Sequence, residues 1–261
     1  MGIRFIILNS GTHTFKLIIT FEGVETQLPA NQNYLSDEIR TDKALIVFVR
    51  YPEPGKVKTR LAEGTSKEFA SDVYKICTEK IFNEISALKY FNRYMFYSAE
   101  EDKDKIIKWT NSEFVYYHQQ GNDLGERMLN AFRTIFNQQN QKAIIIGTDI
   151  PDLSNEIILE AVDALDKNDL VIGPSYDGGY YLLGMKKVYT ELFKNMEWSS
   201  GSVFGSTVKK AKSIHLKVQE LPLLRDIDTK KELKLWLSQT NNPELKRKIL
   251  SLLNQQNPEA F

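Results

Sequence analysis

Ala44-Leu45-Ile46-Val47-Phe48-Val49-Arg50-Tyr51-Pro52-Glu53-Pro54-Gly55-Lys56-Val57-Lys58-Thr59-Arg60-Leu61 joins an unbroken apolar run to a short basic loop. A run without polar alternation is what a strand buried on both faces requires, and such strands belong to parallel sheets covered by helices. Downstream, Phe69, Val73, Ile76, Cys77, Ile81, Phe82, Ile85 and Leu88 recur mostly at helical spacing. They predict an amphipathic helix over 66–89, with Ser66 placed to cap it. The pattern then repeats. Strands are expected at 93–97, 114–117, 143–146, 170–172, 180–183 and 214–221. Helices are expected at 101–109, 124–136, 155–165 (with Ser154 as its cap) and from about 231 and 243. Strands alternating with helices imply an α/β sandwich with a mostly parallel sheet. In such sheets ligands sit outside the carboxyl ends of the strands, so the loops after the strands hold the candidate site.

The first 42 residues read differently. Two β-like apolar runs, 3–8 and 15–21, flank the turn-forming Asn9-Ser10-Gly11-Thr12, which predicts a hairpin. Residues 29–40 are polar and read as a linker. The expected organisation is an extension over 1–42 and a domain over 43–261.

Composition narrows the function classes. The chain has 261 residues, 42% of them apolar and 26% charged, enough to bury a large core without disulfides or structural metal. Lys plus Arg and Asp plus Glu both number 34, and this zero balance argues against non-specific nucleic-acid binding or a polybasic membrane surface. A single cysteine, Cys77, excludes an internal disulfide framework and a multi-thiolate zinc site, and a cytoplasmic protein is expected. No apolar run approaches the ~18 residues that span a bilayer. There is no repeat of fixed period, no Gly-x-Ser-x-Gly and no Gly-x-Gly-x-x-Gly. His13, His118 and His215 are scattered and read as structural.

Four loops carry chemistry. The loop after the first buried strand sets Lys56, Lys58 and Arg60 beside Gly55 and the Thr59 hydroxyl, a combination suited to phosphate. In Gly147-Thr148-Asp149-Ile150-Pro151-Asp152-Leu153-Ser154, Asp149 stands at a strand tip, where a hard cation such as Mg²⁺ or Mn²⁺ takes one or two carboxylates. Asp152 reads instead as a cap of the following helix. Gly173-Pro174-Ser175-Tyr176-Asp177-Gly178-Gly179-Tyr180 reads as a hairpin turn, with Asp177 available as a base or hydroxyl-binding group. In Arg225-Asp226-Ile227-Asp228-Thr229 the alternating carboxylates are expected on opposite sides, one facing a metal and the other away; Asp228 or Thr229 can also cap the next helix. Two smaller signals remain open. Arg127, in the first turns of a helix that Asp123 caps, is either solvated or reaches an anion. Trp198 either stacks on a ligand or packs in the core.

Taken in order, these motifs resemble a family of bacterial GT-A-fold proteins assigned as glycosyltransferases, some linked to arsenosugar biosynthesis. That family is itself similar to the molybdopterin and 2-phospho-L-lactate guanylyltransferases. The resemblance rests on Pro-x-Pro-Gly-Lys-Val-Lys-Thr-Arg-Leu, Gly-x-Asp-Leu-Gly-x-Arg, Gly-Thr-Asp-x-Pro-x-Leu, Gly-Pro-x-x-Asp-Gly-Gly-Tyr-Tyr-Leu-Leu-Gly, a Trp-Ser loop and Asp-Ile-Asp-Thr, over about 43–237. The Asp-x-Asp of many glycosyltransferases is replaced here by Thr148-Asp149-Ile150-Pro151.

The resemblance implies a GT-A (nucleotide-diphospho-sugar transferase) fold, a three-layer α/β/α sandwich with a Rossmann-like sheet. It implies that Gly55, Lys56, Lys58, Thr59, Arg60 and Arg127 bind the nucleotide. Asp149 and Asp228 would hold Mg²⁺ or Mn²⁺, and Asp177, Gly178, Gly179 and Trp198 would line the acceptor side. Lys58 and Asp177 are the candidate catalytic residues. The expected function is a metal-dependent glycosyltransferase moving a sugar from a nucleotide-diphosphate sugar to a small-molecule acceptor. The alternatives are a nucleotidyltransferase that uses a nucleoside triphosphate and releases pyrophosphate, and a nucleotide-binding protein without turnover.

Overall fold

The computed structural model describes residues 4–9, 15–21, 24–28, 41–98, 100–110, 114–198 and 200–256. Two compact units divide the chain, Met1–Arg40 and Thr41–Phe261. The first is a three-stranded antiparallel sheet, β1 (Arg4–Asn9), β2 (Phe15–Phe21) and β3 (Val24–Leu28), in sequence order. The expected hairpin is therefore extended by a strand. Val24-Glu25-Thr26-Gln27-Leu28 escapes a hydrophobic scan because only its ends are apolar. Most of the expected turn and all of the expected linker at 29–40 lie outside the described residues.

In the second unit the chain runs β4 (Lys43–Val49), α1 (Thr59–Glu63), α2 (Lys67–Ser86), β5 (Asn92–Tyr97), α3 (Lys103–Thr110), β6 (Val115–His118) and α4 (Leu124–Phe136). It continues through β7 (Lys142–Ile146), α5 (Asn155–Ala164), β8 (Leu170–Pro174), β9 (Tyr180–Met185), a 3₁₀ turn (Thr190–Phe193) and α6 (Val203–Ser213). β10 (Val218–Glu220), α7 (Lys230–Gln239) and α8 (Pro243–Gln256) complete it. The seven strands lie in the order β10-β8-β9-β7-β4-β5-β6. β9 alone is reversed, antiparallel to both β7 and β8, and the other pairs are parallel.

The alternating directions of strand side chains build two cores. Leu45, Val47, Met95, Ile144 and Ile146 face one way and pack on Ile81, Ile85, Ile106, Ile158 and Val162 of α2, α3 and α5. Ala44, Ile46, Phe96, Ile145 and Leu183 face the other way and meet Met128, Phe132 and Ile135 of α4 and Val208 of α6. The result is the expected three-layer sandwich. A third cluster closes α1, α7 and α8 over the outer side of α2 through Leu61, Phe69, Val73, Cys77, Ile227, Trp236 and Ile249. Each large side chain fully buried this way contributes about 1.5–3 kcal/mol. Ser66 caps α2 by accepting from Phe69 N at 3.1 Å. No helix among the described residues is long and apolar enough to cross a membrane.

The last strand is shorter than expected. Ile214 is the C-cap of α6 and His215 turns at φ 59°, so only Val218–Glu220 pairs with β8. Ile214 and Leu216 pack on the core from this exit turn, which imitates strand alternation. Helix α6 itself was not expected. Gly205, Ser206 and Thr207 weaken its propensity, and burial of Val203, Thr207, Val208 and Ala211 stabilises it instead.

Candidate functional site

The loops after β4 and β7 and the segment before α7 meet above the carboxyl ends of the central strands. In the first loop Gly55 turns at φ 80° and Lys58 adopts the left-handed conformation (φ 47°, ψ 44°) at the N-cap of α1. That conformation costs a non-glycine residue about 1–2 kcal/mol. Its consequence is direction: the Lys58 side chain turns inward and is only 5% exposed. Its ammonium lies 2.9 Å from Asp149 Oδ1 and 2.8 Å from Asp228 Oδ1. Burial alone would lower the lysine pKa. The charges of Asp149 and Asp228 and hydrogen bonds to both outweigh it and hold the group above the usual lysine range. The neighbouring cations behave differently. Lys56 is exposed and pairs with Glu53 at 3.1 Å, and exposed Arg60 stands 3.8 Å from Asp228 Oδ2. Thr59 is the exposed first residue of α1.

Asp149 is delivered by β7 through Gly147 and Thr148. The buried Tyr74 hydroxyl on α2 ties this tip to the loop after β4. It accepts from Arg50 N (3.1 Å) and lies within hydrogen-bond distance of Arg50 O (3.2 Å) and Thr148 Oγ1 (2.9 Å). Burial, with the nearby Asp149 charge, pushes the phenol up to about 12. Nothing in the sequence marks Tyr74 beyond a place on an apolar helix face. Tyr74→Phe is expected to destabilise the fold by about 1–2 kcal/mol, read as a lower midpoint in urea unfolding, because Arg50 N is left without a partner.

Asp228 is set by the start of α7. Thr229 is the N-cap, accepting from Glu232 N at 3.2 Å, while Glu232 Oε2 accepts from Asp228 N at 3.0 Å. The expectation that Asp226 and Asp228 face opposite ways is corrected. Residues two apart in an extended segment share a face. Ile227 between them enters the core, and both carboxylates line one cleft. Asp226 is 5% exposed. Burial, then the charges of Asp228, Asp177 and Glu232, push its carboxyl up to about 6.

The cleft has three lobes that share Asp149. A cationic lobe of about 310 Å³ is lined by Arg50, Lys56, Lys58 and Arg60. A larger lobe of about 670 Å³ is lined by Ser175, Asp177, Trp198, Asp226, Asp228 and Glu232, among others. A third, of about 290 Å³, is lined by Arg127, Arg50, Gln119, Gly147 and Tyr180. Arg127 donates to Gly121 O at 3.1 Å and lines the third lobe, whereas Lys58 lines the cationic one.

Asp177 sits on the β8–β9 hairpin, where its Oδ1 accepts from Ser175 Oγ and from Gly179 N. Gly178 turns at φ 86° directly against Gly201. Trp198 packs on the core, its indole lying on Gly125 of α4 and stacking on Phe193 at 6.4 Å, and its remaining surface lines the large lobe. Asp152 caps nothing. It accepts from Trp236 Nε1 at 2.8 Å and ties the loop after β7 to α7, while Ser154 holds the N-cap position of α5 without a side-chain cap bond. His118 packs on Tyr97 and His215 is a turn residue; His13 lies outside the described residues.

No cluster of three or more metal-ligating side chains occurs among the described residues. Asp149 and Asp228 nevertheless each give one carboxylate oxygen to the Lys58 ammonium and keep the other, and one ammonium does not cancel two carboxylates. An oxygen-only donor set with residual negative charge fits a hard divalent cation that completes its shell with phosphate and water.

A family model described as "Uncharacterized protein conserved in bacteria (DUF2064)" matches residues 81–200. The crystal structure of a "putative nucleotide-diphospho-sugar transferase" from Desulfovibrio desulfuricans G20 is 30% identical, with a TM-score of 0.78 over 84% of this chain and 97% of that one. A cytidylyltransferase from Leptospira borgpetersenii is 16% identical, with a TM-score of 0.48 over 85% and 97%. The bifunctional IspDF of Campylobacter jejuni is 14% identical, with a TM-score of 0.50 over 74% of this chain and 53% of that one. No curated protein matches the chain. With a relative this similar along nearly its whole length, and with the sheet order and helical layers described above, the chain belongs to the same family as that Desulfovibrio protein and has the nucleotide-diphospho-sugar transferase type of fold.

Proposed function

We propose that this protein is a transferase that binds a nucleotide-diphospho-sugar and passes the sugar to a small acceptor. The observation that carries the reading is the buried Lys58 ammonium held by Asp149 and Asp228, two carboxylates that line both a cationic lobe and an acidic one. Similarity to the Desulfovibrio relative, described as a "putative nucleotide-diphospho-sugar transferase", supports the same class. In sugar transfer the bond from the anomeric carbon to the diphosphate breaks and one to an acceptor oxygen forms, so negative charge grows on the leaving group. Fixed cations in a partly dry site stabilise that charge best. Lys58, Arg50 and Arg60, which line the cationic lobe, would supply that stabilisation. Lys56 can leave Glu53 at little cost, because that pair is exposed.

Asp149 and Asp228 would hold Mg²⁺ or Mn²⁺, which would supply further charge neutralisation on the diphosphate. Asp177, on the hairpin lip, would receive the acceptor proton.

The test is thermal stabilisation by nucleoside diphosphates, triphosphates and nucleotide sugars, with and without Mn²⁺, followed by product analysis. A nucleotide sugar at about 100 times its Kd is expected to add about 2.7 kcal/mol. Its turnover is expected to release a nucleoside diphosphate. Binding of a triphosphate with pyrophosphate release would make the protein a nucleotidyltransferase. Absence of any nucleotide effect on a folded sample would overturn the phosphate-cradle reading.

A further inference from the structure

The large lobe holds a carboxylate with no use in the donor cradle. Asp226 is 5% exposed, lines the lobe, and accepts no hydrogen bond from any described residue. Its acidic neighbours are engaged elsewhere: Asp228 on Lys58, Glu232 on the Asp228 backbone, Asp177 on Ser175 and Gly179. An unpaired buried carboxylate is costly unless a ligand supplies the missing donors. The same lobe adds Ser175 and Ser200, and its one cationic lining residue among those described, Arg60, is solvent-exposed. An occupant must therefore donate hydrogen bonds and carry no negative charge, since a phosphate or carboxylate would meet Asp177, Asp226 and Glu232 without a paired cation.

We propose that Asp226 binds the acceptor by accepting hydrogen bonds from its hydroxyls, and that the acceptor is a polyhydroxy compound without negative charge. This rests on the sugar-transfer reading above.

The experiment uses the full chain and first measures calorimetric binding of the nucleotide sugar. Failure there overturns the transfer reading, and this inference with it. Nucleoside diphosphate release is then followed with glycerol, ribose and glucose, each against its phosphate monoester. The neutral member of each pair is expected to accelerate release at least about tenfold more than the phosphorylated one. Asp226→Asn is expected to raise the KM for the neutral acceptor about tenfold, with donor Kd changed by less than about twofold. Three results overturn the proposal: faster release with the monoesters, no acceleration by any neutral compound, or an unchanged acceptor KM in Asp226→Asn. Donor binding by the variant reports its folding, and if it does not fold, the wild-type comparison of the matched pairs still decides.

Discussion

Lys58→Ala is expected to lower turnover by about 10²–10³-fold and to destabilise the fold by about 1–3 kcal/mol. The catalytic loss follows from removing the buried cation that faces both Asp149 and Asp228. The stability loss follows from leaving two carboxylates close together without their shared partner. It falls below the 3–5 kcal/mol typical of a fully buried pair because Asp149 is 57% and Asp228 33% exposed, so water can replace part of the ammonium. Backbone and charge can be separated here. Alanine inherits the left-handed conformation at φ 47°, whereas glycine accepts it freely. Lys58→Gly should therefore be about 1 kcal/mol more stable than Lys58→Ala in urea unfolding and equally inactive. Lys58→Arg should not restore turnover, since a planar guanidinium does not fit a position built for a point charge between two single oxygens. An alanine variant with near wild-type turnover would sink the role assigned to this side chain.

Gly178→Ala is expected to cost about 3 kcal/mol or more, a fall of roughly 6–12 °C in Tm for a unit of this size. Two independent causes act at that residue. Its φ of 86° is unfavourable for any side chain, and a Cβ would stand 2.0 Å from Gly201 O and 2.6 Å from Gly201 C. Both obstacles are backbone, so no rotamer change can relieve them. The hairpin must move off the Gly201 loop, weakening the bond from Phe204 N to Gly178 O (2.9 Å) and displacing Asp177 from the lip of the large lobe. Turnover should therefore fall together with stability. Gly205→Ala is the matched control. It lies on the exposed side of α6 with nothing within 4 Å of the added atom. Replacing a helical glycine there should stabilise by about 0.5–1 kcal/mol. Equal melting temperatures for the two variants would remove the close-approach argument.

Much of this architecture is legible in the amino-acid sequence. The apolar run at 44–49 reads as a strand covered on both faces, and Leu45, Val47 and Val49 do enter one core while Ala44 and Ile46 enter the other. Ser66 and Asp123 announced two helices through the chemistry of their side chains, and both cap them. Asp-Gly-Gly at 177–179 announced the turn between β8 and β9. All of these are local signals, in which a residue's neighbours within a few positions settle its burial or dihedral angle. Helix α6 and the five-residue α1 lacked such a signal, because packing rather than propensity holds them.

The candidate site was legible as a set of loops but not as an arrangement. Lys56, Lys58 and Arg60 look equivalent in sequence, and the left-handed turn at Lys58 buries one cation while its neighbours remain in water. The partners of Lys58 lie far along the chain, Asp228 being 170 residues away. Their meeting depends on the strand order that sets β7 beside β4 and on the closure of α7 over α2 through Ile227 and Trp236. Tyr74 and Asp226 acquire a role only from that closure, one by reaching two strand tips at once and the other by being left among carboxylates without a donor. The sequence by itself determined the layers, the strand ends and the residue types available there, since periodicity and capping are short-range. The tertiary structure decided which charges share a partner, because electrostatic and hydrogen-bond energies depend on distances of a few ångströms between segments that only the closed sheet and its outer helices bring together.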